Sequence, residues 1–330
     1  MKILLGSHHF FPSTGGIETV SNLLAREFVA QGHEVRVVTQ TAGDLHLLFT
    51  VVRCPAAGDL IVQVQWCDVF LQNNISLRTL WPLLFIRRPL FIAHQTWITN
   101  PDGSVGWQHF LKRFVLRYAT SFAISGAIAE SLPVPSIRVG NPYDDKIFNA
   151  TAANRTRELI FVGRLVSDKG AGLLLDALKL VERKPRLTIV GDGPERAALE
   201  KQVADLQMQS QVEFAASRHG EQLAELLRQH EILVVPSLWK EPFGIVALEG
   251  IACGCVVIGS AGGGLAEAIG PCGVTFPNGN AQALGDAIVR LLDDPAERDR
   301  LRQNAPSHLA RFAPRQVAAR YLETMTKVLR

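Results

Sequence analysis

The chain has 330 residues, 47% of them hydrophobic, with 34 basic against 31 acidic side chains and a formal net charge of +3. That length can bury a substantial core and suggests two domains, while so balanced a charge argues against a nucleic-acid binder. No apolar run reaches the roughly 18 residues of a membrane span, the start Met1 to Leu5 is too short for a signal peptide, and Cys54, Cys67, Cys253, Cys255 and Cys272 show no metal-ligand spacing. An odd cysteine count fits a reducing compartment, so a soluble, cytoplasmic protein is expected.

Ile3-Leu4-Leu5-Gly6 reads as a strand, Gly15-Gly16 as a loop, and Glu18 to Ala30 as a helix with Val20, Leu23, Leu24 and Phe28 on one face. Gly32 ends that helix and Glu34 to Thr39 is the next strand, completing a βαβ unit. Leu60 to Val64, Leu90 to Ala93 and Ser121 to Ser125 are predicted as further strands. Trp107 to Tyr118 has helical periodicity, with Trp107, Phe110, Leu111, Phe114 and Tyr118 on one face and His109, Arg113 and Arg117 in a row on another. Between Arg78 and Arg117 stand Arg87, Arg88, Lys112 and Arg113 against one acid, Asp102. Two readings stay open here: a helix lying on an anionic membrane or anionic acceptor, or a surface helix burying its apolar face in its own domain.

Asp144-Asp145, after Asn141-Pro142-Tyr143, reads as a turn, and Asn149 to Thr156 as a polar linker. A second alternation follows. Leu159 to Gly163, Leu187 to Gly191, Val212 to Phe214, Ile232 to Val235 and Val256 to Ile258 are predicted strands. Helices are predicted over Gly172 to Glu182, Glu195 to Leu206, Leu223 to Gln229 and Ile245 to Ala252, and a last one over Pro314 to Leu329. Two such arrays predict an α/β chain of two doubly wound, Rossmann-like domains with ligands at the carboxyl ends of their strands, in a cleft between them.

The candidate site residues follow strands. His94 comes directly after Leu90 to Ala93, Arg164 after Gly163, and Lys169-Gly170 five residues later at a helix start. An arginine fork and a lysine point charge on one loop can converge on a diphosphate; the alternative is a solvated basic loop. Glu241-Pro242-Phe243-Gly244-Ile245 joins the strand Ile232 to Val235 to a helix that carries Glu249. The helix start suits an anion, and the two carboxylates suit hydroxyls, as a sugar attached to phosphate would require. The alternative is a dipole-favoured charge at Glu241 and a solvated helix face at Glu249. Gly191-Asp192-Gly193-Pro194 is not a dinucleotide fingerprint, no Walker loop occurs, and no Asp-x-Asp ends a strand to hold a divalent ion.

Gly15-Gly16-Ile17-Glu18, Gly163-Arg164-Leu165, Lys169-Gly170, Gly191-Asp192-Gly193-Pro194, Pro236-Ser237, Glu241-Pro242-Phe243-Gly244 with Glu249, and Gly262-Gly263 occur in that order. Together they resemble the family-four retaining glycosyltransferases of the GT-B fold, over nearly the whole chain. The glutamate pair eight residues apart around Pro-Phe-Gly carries most of the specificity; the Gly-Gly pairs carry little. The resemblance implies an acceptor-side domain at 1–150, a nucleotide-sugar donor domain at 151–310, and a helix at 311–330 crossing back to the first. It implies that Arg164 and Lys169 hold the donor diphosphate, that Glu241 binds hydroxyls of the donor sugar, and that Glu249 binds the ribose. Gly163, Gly193 and the Phe243-Gly244-Ile245 backbone would line the donor site. Gly15 and Gly16 would admit the diphosphate to the first domain, and His94 would face the sugar near its reacting carbon.

The function so implied is retaining, metal-independent sugar transfer from a nucleotide diphosphate sugar to a glycan, glycolipid or small-molecule hydroxyl, with no cofactor. Cell-envelope polysaccharide or lipopolysaccharide synthesis would be its setting, with peripheral contact to the inner face of an anionic membrane. A GT-B nucleotide-sugar epimerase and a catalytically inactive nucleotide-sugar binding protein are the alternatives. The sequence departs from the family pattern in the compact segment Thr41 to Gly58, and in Gln63 and Gln65, where relatives often carry histidine. Both departures bear on the acceptor.

Overall fold

A computed structural model of the chain describes all residues except Thr14, 99–105 and 152–154, and the side chain of Gln108. Asp102 and the middle of the expected linker therefore lie outside the described residues. The chain forms two compact units, Met1–Tyr143 with Phe312–Arg330, and Asp144–Arg311.

The first unit is a parallel sheet of strands β1 (Lys2–Ser7), β2 (Glu34–Thr39), β3 (Thr50–Arg53), β4 (Val69–Asn73), β5 (Leu90–His94), β6 (Thr120–Ala123) and β7 (Ser136–Arg138). Their order is β3-β2-β1-β4-β5-β6-β7. Ile3, Leu4 and Leu5 of the central β1 are wholly buried, as expected of a strand covered on both faces.

Leu60 to Val64, predicted as a strand, is instead the middle of a helix, Ala57–Trp66, and the strand lies further on at β4. The apolar run is too short for its period to decide. Ala56 N–H donates to Asp59 Oδ2 at 3.1 Å and caps the helix, and Leu60, Gln63 and Val64 turn inward at helical spacing. Gln63 is buried and accepts from Arg36 Nη1 at 2.9 Å, so it serves packing in this unit.

The last helix, Pro314–Leu329, belongs to this first unit. Val317, Ala318, Tyr321, Leu322 and Met325 are buried, and the Tyr321 ring lies 4.4 Å from Phe122 and 6.4 Å from Phe28 of the helix Gly16–Ala30. Its apolar stripe is thus matched by aromatic side chains that leave the first sheet and the first helix.

The second unit holds β8 (Arg157–Val162), β9 (Leu187–Val190), β10 (Val212–Ala215), β11 (His230–Val235), β12 (Val256–Ser260) and β13 (Gly273–Phe276). They form a parallel sheet in the order β10-β9-β8-β11-β12-β13. Its core joins strand residues such as Leu159, Ile189 and Val234 to Leu174 and Leu178 of the helix Ala171–Lys179 and Ile288 of the helix Ala281–Asp293. Residues 144–149 belong to this unit because buried Arg228 donates to the carbonyls of Ile147 and Asn149, at 2.8 and 3.0 Å. Asp144 opens the expected turn, its carbonyl accepting from Phe148 N at 2.8 Å. The cysteines are free; Cys54 is exposed and the other four are buried.

Candidate active site

The order of the second sheet reverses between β8 and β11, so the loops leaving those two strands open onto one crevice at their carboxyl ends. These loops carry Gly163 to Gly170 and Pro236 to Gly244. They touch backbone to backbone: the Asp168 carbonyl accepts from Leu238 N at 2.9 Å and from Trp239 N at 3.2 Å. Gly170 has φ of +73°, and a Cβ there would stand 2.0 Å from the Pro236 carbonyl oxygen. Only glycine permits both the left-handed backbone and the approach.

This approach delivers Lys169 to Glu241. Lys169 Nζ lies 2.6 Å from Glu241 Oε1, and the same oxygen accepts from Ser237 Oγ at 2.7 Å. The carboxylate is nearly buried, whereas a quarter of the lysine side chain remains exposed and can be reached by a ligand. Glu241 is fixed from behind as well, its carbonyl accepting from Gly264 N at 2.7 Å beside a bridge to Gly263. Asn278 Nδ2 in turn donates to the Ser237 carbonyl at 3.3 Å. Ser237 had only its place beside Pro236 in the motif to mark it, and Asn278 had no sequence signal.

The loop after β9 is tied to the one after β8. Gly163 N donates to Val190 O at 3.1 Å, Leu165 N to Asp192 O at 2.9 Å and Glu195 N to Leu165 O at 3.0 Å. A Cβ at Gly193 would stand 2.4 Å from the Leu165 carbonyl oxygen. Between these anchors Arg164 is exposed, and its guanidinium has no hydrogen bond or ion pair with the described residues. Gly244, with φ of +98°, starts the helix Ile245–Ala252, and no side chain caps that start. Its first amides, those of Ile245 and Val246, precede the first backbone bond of the helix, Ala247 N to Gly244 O at 3.0 Å, and such a start offers donors to an anion or water. Phe243 is buried beneath them.

Glu249 sits one turn along that helix, closely surrounded by protein although part of its surface is open. Burial, aided by the negative charge of Asp144, raises its pKa to about 7. Near neutral pH its carboxyl is poised between the acid, which can donate, and the carboxylate, which accepts from hydroxyls. Asp144 was read only as a turn residue, because its nearness to Glu249 arises through folding.

The structure thus gathers Gly163, Arg164, Lys169, Gly193, Glu241, Phe243, Gly244, Ile245 and Glu249 on the loops and helix start at one end of the second sheet. Gly15, Gly16 and His94 lie in the first unit. Gly15 precedes the helix Gly16–Ala30, and a Cβ there would lie 2.6 Å from Glu18 Oε2, the carboxylate that also accepts from Ser13 Oγ at 3.2 Å. His94 does not present its ring to solvent. It ends β5 only 1% exposed, with Nε2 3.3 Å from Ser121 Oγ, and burial lowers its pKa to about 4. This is the geometry of a neutral polar residue closing a buried strand. Among the described residues no three His, Cys, Asp or Glu side chains gather where a metal ion could sit.

Comparison with known proteins agrees with this architecture. The sequence pattern of the family described as glycosyl transferases group 1 matches residues 143–308, half of the chain. A D-inositol 3-phosphate glycosyltransferase of Corynebacterium urealyticum is 34% identical over 175 residues, 49% of this chain and 41% of that protein. An uncharacterized glycosyltransferase of Methanocaldococcus jannaschii is 28% identical over 240 residues, 69% of this chain and 66% of its own. The chain spans about two fifths of the length of the first curated relatives it matches, with 41, 36 and 41% covered. The crystal structure of Anabaena HepE in complex with UDP superposes with a TM-score of 0.84 at 20% identity, over 99% of this chain and 100% of that one. WaaG, a glycosyltransferase involved in lipopolysaccharide biosynthesis, gives 0.71 at 19% identity, over 98% of this chain and 99% of its own. With both doubly wound sheets of the GT-B fold and this match, the chain belongs to the group 1 glycosyl transferases.

Proposed function

We propose that this chain is a glycosyltransferase that moves a sugar from a nucleotide diphosphate sugar to a hydroxyl acceptor, with retention at the anomeric carbon and without a metal ion. The observation that carries the reading is the Lys169–Glu241 pair, 2.6 Å apart beside the uncapped helix start at Gly244. A cation, a carboxylate and free amides within one crevice suit a phosphate joined to a polyhydroxylated ring. Arg164 and Lys169 take the diphosphate, the amides of Ile245 and Val246 support it, Glu241 accepts from sugar hydroxyls, and Glu249 receives the ribose diol. His94 is left out of this contact set because its ring is buried.

In the transfer, the acceptor oxygen bonds to the anomeric carbon on the face from which the diphosphate departs, and the bond from that carbon to the phosphate oxygen breaks. The departing phosphate oxygen receives the acceptor proton. Arg164 and Lys169 stabilise the negative charge that grows there, and their fixed placement makes this electrostatic preorganisation. A glycan or lipid-linked acceptor in cell-envelope synthesis remains the setting proposed for the reaction.

The test is a thermal-shift series with UDP, GDP and ADP, followed by incubation with UDP-glucose and the sugars of whichever base binds. Stabilisation by one diphosphate, with slow release of free sugar in the absence of acceptor, is expected. No shift with any of them would overturn the reading. Binding with neither hydrolysis nor transfer would mark an inactive binding protein, and epimer formation would mark the isomerase, which gains no support from the comparisons.

A further inference from the structure

The helix Ile245–Ala252, which carries Glu249, is gripped at its far end. The carbonyls of Cys253 and Gly254, which close it, accept from Arg155 Nη2 and Arg302 Nε, each at 2.9 Å. Gly254 leaves the helix in the left-handed region at φ of +89°, and a Cβ there would stand 1.8 Å from Arg155 Nη2. Glu249 is thus carried on a fixed element, and its surroundings are set by the chain laid beside that element.

That chain is the turn at residues 144–149. The Asp144 carbonyl accepts from Ile147 N at 3.2 Å and from Phe148 N at 2.8 Å, and Asp144 Oδ1 accepts from Lys146 N at 3.2 Å. Arg228, only 8% exposed on the helix Gly220–Gln229, ties the turn down. Its Nε donates to the Asn149 carbonyl at 3.0 Å, and its Nη2 to the Ile147 carbonyl at 2.8 Å and to Asn149 Oδ1 at 3.3 Å. Its Nη1 donates to Glu221 Oε1 at 2.5 Å. A planar fork meets these acceptors together, which the point charge of a lysine cannot do. The Cys253 thiol, pushed up to about 12 by burial, feels the charges of both Arg228 and Glu249 and meets the Asn149 backbone. Asp144, Arg228 and Glu249 therefore belong to one cluster, wholly within the second unit.

We infer that Arg228 is a positioning residue: by pinning this turn it keeps the Asp144 carboxylate beside Glu249, and so governs how Glu249 meets a ligand's hydroxyls. The consequence for binding rests on the reading of Glu249 as the group that receives the ribose diol. Other titratable groups stand on the elements packed against this helix: Glu221 beside Arg228, Glu267 on Leu265–Ile269, His308 on Ala305–Leu309, and His230 and Glu231 on β11. Apart from burial, however, the one charge among the described residues that acts on Glu249 is Asp144, and it favours the protonated acid. A protonated carboxyl donates one hydrogen bond, whereas the carboxylate accepts from both hydroxyls of a diol. Holding Asp144 in place keeps part of Glu249 neutral near neutral pH, and releasing the turn shifts Glu249 toward the carboxylate. Were Arg228 to act by its own cation, its loss would shift Glu249 the other way.

The test is a carbon-13 NMR titration of the full chain labelled at its glutamate carboxyls, with the Glu249 signal identified as the one lost in Glu249→Gln. Asp144→Asn, which keeps the Oδ1 acceptor of the turn, should move the Glu249 midpoint below its value of about 7. Arg228→Gln should move it in the same direction. Arg228→Lys keeps the cation but loses the fork; it should do the same, and it guards against a glutamine variant that does not fold. Asp144→Asn combined with Arg228→Lys should match Asp144→Asn alone, because the arginine acts through the aspartate. An unchanged or raised midpoint in the Arg228 variants would overturn the inference. The second readout is the preference for UDP over 2′-deoxy-UDP, a ratio from which the shared diphosphate cancels. At about pH 6.5 it should be about twofold larger in the Asp144 and Arg228 variants than in wild type, as the ionised fraction of Glu249 grows. Midpoints that move as stated, beside a wild type without that preference, would support the positioning role and remove Glu249 from ribose recognition. Midpoints that stay put beside a clear UDP preference would overturn the positioning role and leave the donor reading standing.

Discussion

The two units place their glycines and polar groups differently at the carboxyl ends of their sheets. In the second, the loops after β8, β9 and β11 are zipped by backbone hydrogen bonds, and at Gly170 and Gly193 a Cβ would collide with a neighbouring carbonyl. In the first, backbone bonds such as Gln40 N to His8 O at 3.1 Å and Asn74 N to Ala93 O at 2.8 Å are joined by side-chain ties. Ser7 Oγ lies 2.9 Å from Ser21 Oγ, Asn73 Nδ2 donates to Ser21 at 2.6 Å, and Arg53 Nη1 spans the carbonyls of Phe11 and Thr41 at 2.7 and 3.0 Å. A backbone zipper depends on few side-chain identities beyond glycine, whereas a side-chain scaffold can change with each substitution.

The largest test of this contrast is the final helix. Truncation after Arg311 removes Val317, Tyr321 and Met325 from the first unit and uncovers Phe28 and Phe122. The first unit should lose cooperative unfolding, while the second, whose core contains none of these residues, should melt separately. A truncated chain with an unchanged single transition would break the division into units.

Next come Lys169→Ala and Glu241→Ala, each expected to lower kcat/KM with the donor about tenfold to a hundredfold, from the loss of roughly 1.5–3 kcal/mol per charged hydrogen bond. The circular dichroism spectrum should hold, since the backbone contacts of both loops remain. Variants with wild-type turnover would remove the pair from the site.

His94→Ala separates burial from chemistry. If the ring only closes β5, the substitution costs stability, about 1–3 kcal/mol, and leaves slow donor hydrolysis near wild type; a large fall in kcat at unchanged melting temperature would restore the histidine to the reaction. Its pH dependence has a defined sign. The folded pKa of about 4 lies below the ordinary 6.5, so the unfolded chain binds the proton more readily. This contribution is complete above pH 6.5 and is lost as pH falls toward 4, and His230, also lowered to about 4, adds to it. Replacing both histidines should flatten the acid limb in urea melts across that window. Glu249 works the other way: its pKa is raised to about 7, so stability declines as pH rises from 4.5 toward 7, and Glu249→Gln should reduce that decline. The smallest expected effect is chelation. Transfer measured with EDTA should equal transfer without it, and a loss reversed by one divalent ion would overturn the metal-free reading.

Much of this protein was legible in its residue order. The alternation of apolar runs and amphipathic stretches gave two parallel arrays, and Glu34 to Thr39 and Pro314 to Leu329 agree with the structure to the residue. Both arise from local period and punctuation, which need no distant partner. The Gly-Arg, Lys-Gly and Glu-Pro-Phe-Gly motifs marked the crevice loops for the same reason, since loops that touch one another backbone to backbone must write their glycines into the sequence. Leu60 to Val64 misled because a short apolar run carries no decisive period, and only the cap at Asp59 and the packing of Gln63 settled it as helix. The face assignments were also tertiary. The His94 ring is buried and the aromatic arc of Trp107 to Tyr118 is exposed, although periodicity alone allows either outcome for each. A sequence fixes which residues share a side, but which side meets the core depends on what the rest of the chain packs against it, and that is decided only on folding.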